Sequence, residues 1–135
     1  LKIKPKIAVL GLNPHNAELR YNSEEKRIII PAIKKIKKAG VNLNGPFAAD
    51  TLFVDIYKEY DVIVGMFHDQ VITPFKTLYH FDAINITLGL KYLRATPDHG
   101  TAKNIIGKNK ANPVSLVNCI YFISKFGKWN LLKNL

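Results

Sequence analysis

Residues 62–70 read Val62-Ile63-Val64-Gly65-Met66-Phe67-His68-Asp69-Gln70. The first part is a short, β-branched apolar run, which is typical of a strand buried in a parallel sheet. We predict a strand over Val62–Phe67 that ends at three polar side chains. Because open α/β sheets bind ligands at the carboxyl ends of their strands, this strand end is a candidate site. Lys76 follows eight residues after His68 and offers a cation to an anionic ligand.

Two further apolar runs, Ile7–Leu10 and Ile84–Leu88, are also predicted to be strands. A helix is expected to begin after Asn22 or Ser23 and to end at Ala39, with a kink or break at Pro31. Asp50 is predicted to cap the next helix. The predicted helices after that are Thr51–Tyr60, the helical part of His68–Tyr79, Thr101–Ile106 and Val114–Phe126. Alternating strands and helices indicate an α/β fold with a largely parallel sheet flanked by helices.

The chain of 135 residues is long enough for one domain with a core, and its net charge is +10. The lysines are spread along the chain, and the densest cluster, Lys34–Lys38, fits the solvated face of a helix. No aromatic RNA-binding signature or zinc-finger spacing is present, so we expect no nucleic-acid partner. No segment approaches the roughly 18 consecutive apolar residues of a membrane span.

A single cysteine, Cys119, lies in an apolar stretch and is interpreted as a buried thiol. The absence of a disulfide framework fits a reducing compartment, and we expect a cytoplasmic protein. The chain does not start with Met, which suggests that it begins within a longer protein.

Four histidines are candidates for chemistry. His15 and His68 follow two different strands and could share a divalent metal, although a loop histidine is more often only solvated. His80 has no supporting pattern and is expected to be exposed. His99 lies in Asp98–Ala102, which is either a loop that binds an anion at a helix start or a simple helix cap formed by Asp98.

Lys76, Asn85 and Arg94 are polar residues at nine-residue intervals. Each could reach a phosphate group, Arg94 through two parallel hydrogen bonds, although each alone could equally be an ordinary surface residue. No Gly-x-Gly-x-x-Gly or Walker motif is present, so the usual dinucleotide fingerprint is absent.

Five motifs occur in order, and together they closely resemble the 4-hydroxythreonine-4-phosphate dehydrogenase family of vitamin B6 (pyridoxal phosphate) biosynthesis. They cover nearly the whole chain. They are Gly11–His15, Asn44–Pro46 with Ala49–Phe53, Phe67–Gln70, Asn85–Leu90 and Arg94–Ala102.

The resemblance implies a fold similar to isocitrate and isopropylmalate dehydrogenases, which bind NAD without the glycine fingerprint. It implies oxidation of 4-phosphooxy-L-threonine by NAD or NADP to a β-keto acid. That acid decarboxylates to 3-amino-2-oxopropyl phosphate. A divalent metal, which could be zinc, magnesium, manganese or cobalt, would act as Lewis acid. Full-length members are commonly homodimers.

Residue by residue, the resemblance assigns roles to this chain. His15 and His68 match two of three metal-binding histidines, and Asp50 and Asp69 match acidic residues beside the metal that could relay a proton. The substrate-binding positions are Lys76, Asn85 and Arg94, and the adenosine-binding loop contributes His99, Gly100, Thr101 and Ala102.

Three features depart from the family pattern. After His15 the family has a glycine-rich stretch, whereas this chain has Asn16–Arg20, and after Gln70 it has Val71 in place of a frequent Gly. The third and largest departure is length. Residues 1–135 resemble only the C-terminal part of the family, without the third histidine and a His-Thr substrate pair. We therefore expect the isolated chain to be inactive and to expose apolar surface.

Two alternatives remain open. One is a related dehydrogenase of another 4-phosphorylated hydroxy acid, such as threonate or erythronate phosphate. The other is a non-catalytic remnant that acts only by association.

Overall fold

A computed structural model describes residues 4–131, with side chains up to residue 126. The chain divides into two compact units, one up to Phe75 and one from Lys76 onward. Among the described residues, none of the helices has both the length and the apolar character needed to cross a bilayer.

The first unit is built on a three-stranded parallel sheet in the order β2–β1–β3. Its strands are β1 (Ile7–Leu10), β2 (Leu43–Phe47) and β3 (Val62–Val64). Gly45 is required in β2, because a Cβ there would lie 2.3 Å from the backbone oxygen of Val9 in β1. The sequence predicts a turn or a short strand end at Asn44–Pro46; in the structure these residues are part of a strand packed tightly against its neighbour.

Successive side chains of β1 point to opposite faces of the sheet, and each face has its own core. Val9 packs with Ile29, Ile33 and Leu43 on one face. Ala8 and Leu10 pack with Leu52 on the other, supported by partly buried aromatic and aliphatic residues. The sheet is therefore covered by helices on both faces, as the sequence predicted.

Helix α1 (Ile30–Lys38) is preceded by a wider π-helical turn at Glu25–Ile29. The change of winding falls immediately before Pro31, whose ring cannot fit against a regular preceding turn. The sequence predicts a kink or break at Pro31; the structure shows this change of winding, and the backbone stays helical through Ile29 and Ile30. The predicted role of Ser23 as a cap is confirmed, since its hydroxyl accepts a hydrogen bond from the Lys26 backbone N–H at 3.2 Å.

The predicted helix over Thr51–Tyr60 is instead two segments. Helix α2 (Ala49–Val54) ends at Asp55, and a 3₁₀ turn follows at Ile56–Glu59. Helix α3 begins at His68 and ends at Tyr79, across the division between the two units. Strand β3, which precedes α3, ends three residues earlier than the predicted end at Phe67.

The second unit contains an antiparallel hairpin of β4 (Ile84–Thr87) and β5 (Arg94–Pro97), and helix α4 (Val114–Leu131) contacts both strands. Strand β5 was not predicted. Cys119 is buried on α4 as predicted. Large apolar side chains are exposed in both units, as expected; the most exposed include Leu88, Tyr92, Ile106 and Val54.

Candidate active site

The loop after β1 carries His15 and is fixed by a buried carboxylate. Glu25 is fully buried, and its Oε1 accepts hydrogen bonds from the Asn13 backbone N–H at 2.8 Å and the Asn13 side chain at 3.3 Å. Burial alone would raise the pKa of Glu25, but these hydrogen bonds, with others from backbone N–H groups, hold its pKa below the ordinary value. Sequence reasoning did not predict this buried role for Glu25.

His15 itself is exposed and precedes a left-handed turn at Asn16–Leu19. The four residues of this turn have φ between 47° and 53°, a conformation that non-glycine residues rarely adopt. The turn occupies the position of the family's glycine-rich stretch, and the side chain of its first residue, Asn16, donates a hydrogen bond to the Pro46 carbonyl oxygen at 3.2 Å.

His68 lies on the second loop of this unit. Strand β3 ends at Val64 rather than Phe67, so His68 does not follow the strand directly and is the first residue of α3. Its side chain is exposed, as is that of Asp69 in the first helical turn. His68 therefore lies at a helix start, at the same edge of the sheet as the predicted strand end.

Gln70 joins the two histidine-bearing loops. Its Oε1 accepts hydrogen bonds from the backbone N–H groups of Met66 and Phe67 at 2.7 and 3.0 Å. Its Nε2 donates to the Gly11 carbonyl oxygen at 2.8 Å. One amide therefore ties the segment before His68 to the end of β1, four residues before His15. Sequence reasoning gave Gln70 no role, although its place in the His-Asp-Gln run was the available signal.

Asp50 does not cap α2. Ala48 occupies the N-cap position, and the Asp50 Oδ1 accepts hydrogen bonds from the Thr51 backbone N–H at 2.7 Å and hydroxyl at 3.2 Å. The carboxylate is thus exposed in the first turn, where it interacts with its own helix. Over the residues that the structure describes, no group of three or more His, Cys, Asp and Glu side chains could hold a metal ion.

In the second unit, the hairpin presents polar side chains on one face. Asn85 pairs with Thr96 and Thr87 pairs with Arg94, so these four residues share a face. The Arg94 Nη1 donates a hydrogen bond to the Thr87 Oγ1 at 2.8 Å. The structure therefore brings Asn85 and Arg94 together as diagonal neighbours on adjacent strands.

Lys76 is held by Asp98. The ammonium Nζ lies 3.0 Å from the Asp98 carbonyl oxygen and 3.0 Å from its Oδ2, and it stands 5.6 Å from the centre of the Phe81 ring. The interpretation of Asp98 as a helix cap is wrong, because the nearest helical turn starts at Lys103 and Ala102 occupies its N-cap position. The predicted helix Thr101–Ile106 is reduced to the 3₁₀ turn Lys103–Ile105.

A cavity of about 370 Å³ lies beside this loop. His99, Gly100 and Ala102, three of the four residues predicted to contact a cofactor, line it, whereas Thr101 is exposed and not part of the wall. The His99 ring Nδ1 lies 3.2 Å from the Gly100 carbonyl oxygen. The remaining wall is formed by Phe81, Asn104, Ile105, Lys110, Ala111, Asn112 and Ser115. Its volume suits part of a nucleotide.

Comparison with known proteins shows the family of the chain. Residues 1–123 match the family described as pyridoxal phosphate biosynthetic protein PdxA. The chain belongs to this family. It is 46% identical over 118 residues to the 4-hydroxythreonine-4-phosphate dehydrogenase of Sulfurihydrogenibium sp. (strain YO3AOP1), a match that covers 87% of this chain and 36% of that protein. The chain therefore spans just over a third of that relative's length.

Two solved structures are similar in fold. The 4-hydroxythreonine-4-phosphate dehydrogenase of Klebsiella pneumoniae superposes with a TM-score of 0.71 and 40% identity, over 89% of this chain and 37% of that one. A terephthalate 1,2-cis-dihydrodioldehydrogenase from Burkholderia xenovorans LB400 superposes with a TM-score of 0.67 and 28% identity, over 90% and 39%. The α/β class with a largely parallel sheet flanked by helices is thus confirmed, with the antiparallel β4–β5 hairpin as an addition.

Proposed function

We propose that this chain forms part of the active site of an NAD- or NADP-dependent dehydrogenase that oxidises 4-phosphooxy-L-threonine in pyridoxal phosphate biosynthesis. The product would be a β-keto acid that loses carbon dioxide to give 3-amino-2-oxopropyl phosphate. When bound, the nicotinamide accepts the hydride and a divalent metal polarises the alcohol oxygen. The relatives' names support this substrate.

The observation that carries the proposal is the hydrogen-bonded link that Gln70 makes between the two histidine loops. A catalytic metal needs ligands held in fixed relative positions, usually by hydrogen bonds outside the ligand set. His15 and His68 would be two ligands, and a further ligand would come from outside the described residues. Imidazole donors suit zinc and cobalt, which we favour over magnesium.

The phosphate group of the substrate would be bound in the second unit. Asn85 and Arg94 lie on one face of the hairpin, and a guanidinium can bind a phosphate with two parallel hydrogen bonds. Lys76 would add a positive charge. The loop His99–Ala102 would contact the adenosine of the cofactor, since three of its residues line a cavity.

Asp50 and Asp69 would act on protons. Both carboxylates are exposed in the first unit, and Asp69 immediately follows His68. A carboxylate beside a metal ligand can orient it or accept the proton of the substrate hydroxyl. We propose the second role for Asp69, because the Asp50 carboxylate already accepts two hydrogen bonds from Thr51.

Cobalt titration of the chain tests the metal site. The visible absorption of bound Co²⁺ reports its ligand geometry, so the measurement does not depend on turnover. His15→Ala and His68→Ala should each weaken binding by at least about tenfold, whereas His80→Ala, which removes an exposed histidine, should not. Equal affinities in all three variants would contradict a shared site.

A second candidate is a dehydrogenase of a different substrate. The similarity to a terephthalate dihydrodiol dehydrogenase supports it, because that protein has the same fold and a different named substrate. Threonate and erythronate 4-phosphates retain the phosphate for which Lys76, Asn85 and Arg94 are suited. Steady-state kinetics of the complete protein on a panel of these substrates would separate the candidates by kcat/KM.

We further propose that the 135 residues alone do not turn over substrate, because only two of the three metal ligands lie among them. Adding the remaining part of a relative as a separate polypeptide should restore activity. A chain that stays inactive under all such combinations would favour the non-catalytic remnant. A homodimer in a reducing, cytoplasmic compartment is the assembly we propose for the complete enzyme; the buried thiol of Cys119 is compatible with it.

A further inference from the structure

We propose that Asp98 is a positioning residue that couples binding of the substrate phosphate at Lys76 to binding of the cofactor adenosine at the His99–Ala102 loop. The inference rests on the proposed function, and it adds a link between two ligand sites that the family assignment does not contain. It is carried by contacts within the second unit alone.

The first step is the pair formed by Lys76 and Asp98. The Lys76 Nζ lies 3.0 Å from both the carbonyl oxygen and the Oδ2 of Asp98. Among the described residues, the Asp98 Oδ2 is buried without a hydrogen-bond donor, so the charge of the Lys76 ammonium, 3.0 Å away, is what compensates it. Separating the two would leave a buried carboxylate oxygen uncompensated. An ammonium has three N–H donors, so capacity remains for a phosphate oxygen.

The second step is the attachment of Asp98 to the cavity wall. The Asp98 backbone N–H donates a hydrogen bond to the Ser115 Oγ at 2.8 Å, and that hydroxyl donates to the Ala83 carbonyl oxygen. Ser115 is 2% exposed and lines the cavity, as does Phe81, which lies beneath the Lys76 ammonium. The two residues that hold the Lys76–Asp98 pair are therefore walls of the proposed adenosine site.

The third step is energetic. Adenosine in the cavity would immobilise the loop that starts at Asp98, and this would fix the position of the Lys76 ammonium before phosphate arrives. A second ligand that binds to an already ordered group pays less conformational entropy. The coupling must be reciprocal, so phosphate should strengthen adenosine binding by the same factor.

The test is a thermodynamic cycle on the 135-residue chain, with adenosine and inorganic phosphate as probes. Adenosine carries no phosphate and so cannot itself occupy the Lys76 site. Calorimetric titration of phosphate, without and with saturating adenosine, should show affinity rising about fivefold. Asp98→Asn, which removes the charge but keeps the shape, should reduce the change to less than about twofold.

Asp82→Asn is the matched control, because it makes the same chemical change at an exposed aspartate that bonds to Asn118 instead. It should leave the coupling intact. Asp98→Ala provides a second variant with the same expectation as Asp98→Asn, and circular dichroism checks that each variant is folded.

The possible outcomes separate the two proposals. If both probes bind independently in the unmodified chain, or if coupling survives in both Asp98 variants, the inference is overturned while the proposed function stands. If neither probe binds, the ligand sites of the proposed function fail and the inference fails with them.

Discussion

Glu25 shows how one residue can control a loop that carries a candidate ligand. Glu25 is fully buried, which is unusual for an ionised side chain. Its carboxylate bonds to the backbone and side chain of Asn13, two residues before His15. A buried charge is tolerated when hydrogen bonds replace its water, and here the bonds also fix the loop.

The lowered pKa of Glu25 predicts an acid-sensitive stability. A carboxyl whose pKa is lower in the folded state contributes stability above its unfolded value, near 4.5, and loses that contribution as the pH falls through its folded pKa. Glu25→Gln should reduce the free energy of unfolding by about 1–3 kcal/mol at neutral pH and flatten its fall below pH 4.5. Urea unfolding over a pH series measures both effects. Glu24→Gln, at an exposed neighbour, is the control; matching pH curves for both variants would contradict the prediction.

Gln70 supports a prediction about the metal site. In Gln70→Glu the carboxylate can still accept from Met66 and Phe67, but it cannot donate to the Gly11 carbonyl oxygen and repels it instead. We expect cobalt affinity to fall about tenfold, as is usual when a residue that orients metal ligands is changed. Asn42→Asp makes the same amide-to-acid change at an exposed position and should have no effect. Unchanged cobalt affinity in Gln70→Glu would show that the loops are held without it.

The left-handed turn at Asn16–Leu19 consists of four residues whose side chains disfavour positive φ angles. Each non-glycine residue in this conformation costs about 1–2 kcal/mol. Ala17, at φ 47°, loses only a methyl group when it is replaced by glycine. Glycine relieves this strain, but it also raises the conformational entropy of the unfolded chain, which offsets part of the gain. Ala17→Gly should therefore stabilise the chain by about 0.5–1 kcal/mol.

Thermal and urea unfolding would measure the effect of Ala17→Gly. The control is Ala32→Gly, at an exposed position within α1, which should instead destabilise by about 1 kcal/mol. Destabilisation by both substitutions would mean that the turn is not left-handed in solution.

The elements differ in how well the sequence predicts them. Strand β1 was predicted correctly because it is one uninterrupted apolar run. Strand β3 is shorter than predicted because the backbone N–H groups of Met66 and Phe67 bond to Gln70 rather than to a neighbouring strand. Strand β5 was missed because Arg94–Pro97 has no apolar alternation and ends in proline, so only its pairing with β4 defines it.

In the candidate site, too, only what depends on local sequence can be predicted. Residue types with a known chemical use, such as His15, His68 and Arg94, can be predicted from motifs. The residues that position them cannot, because Gln70, Glu25 and Ser115 gain their roles only from contacts between segments distant in sequence.

At the scale of the whole chain, burial is unevenly shared between the two units. The first unit has two apolar clusters, one on each face of its sheet. In the second unit, the only buried residues within the described range are Ala83, Ser115 and Cys119. Because stability rises with the apolar surface removed from water, the second unit should open at a lower free energy than the first.

Native-state hydrogen exchange would measure this difference directly. Amides of Ala8, Val9 and Leu10 lie in the central strand between two neighbours, so they should exchange only through global unfolding. Amides of β4 and β5, in a two-stranded hairpin, should exchange at least about tenfold faster, because two-stranded ribbons are marginally stable alone.

Adding inorganic phosphate and adenosine together should protect the hairpin amides and leave those of β1 unchanged, since the proposed ligands contact only the second unit's residues. Equal protection in both units without ligand would mean that the chain unfolds as one cooperative body, and the ligands would then protect β1 as strongly as β4.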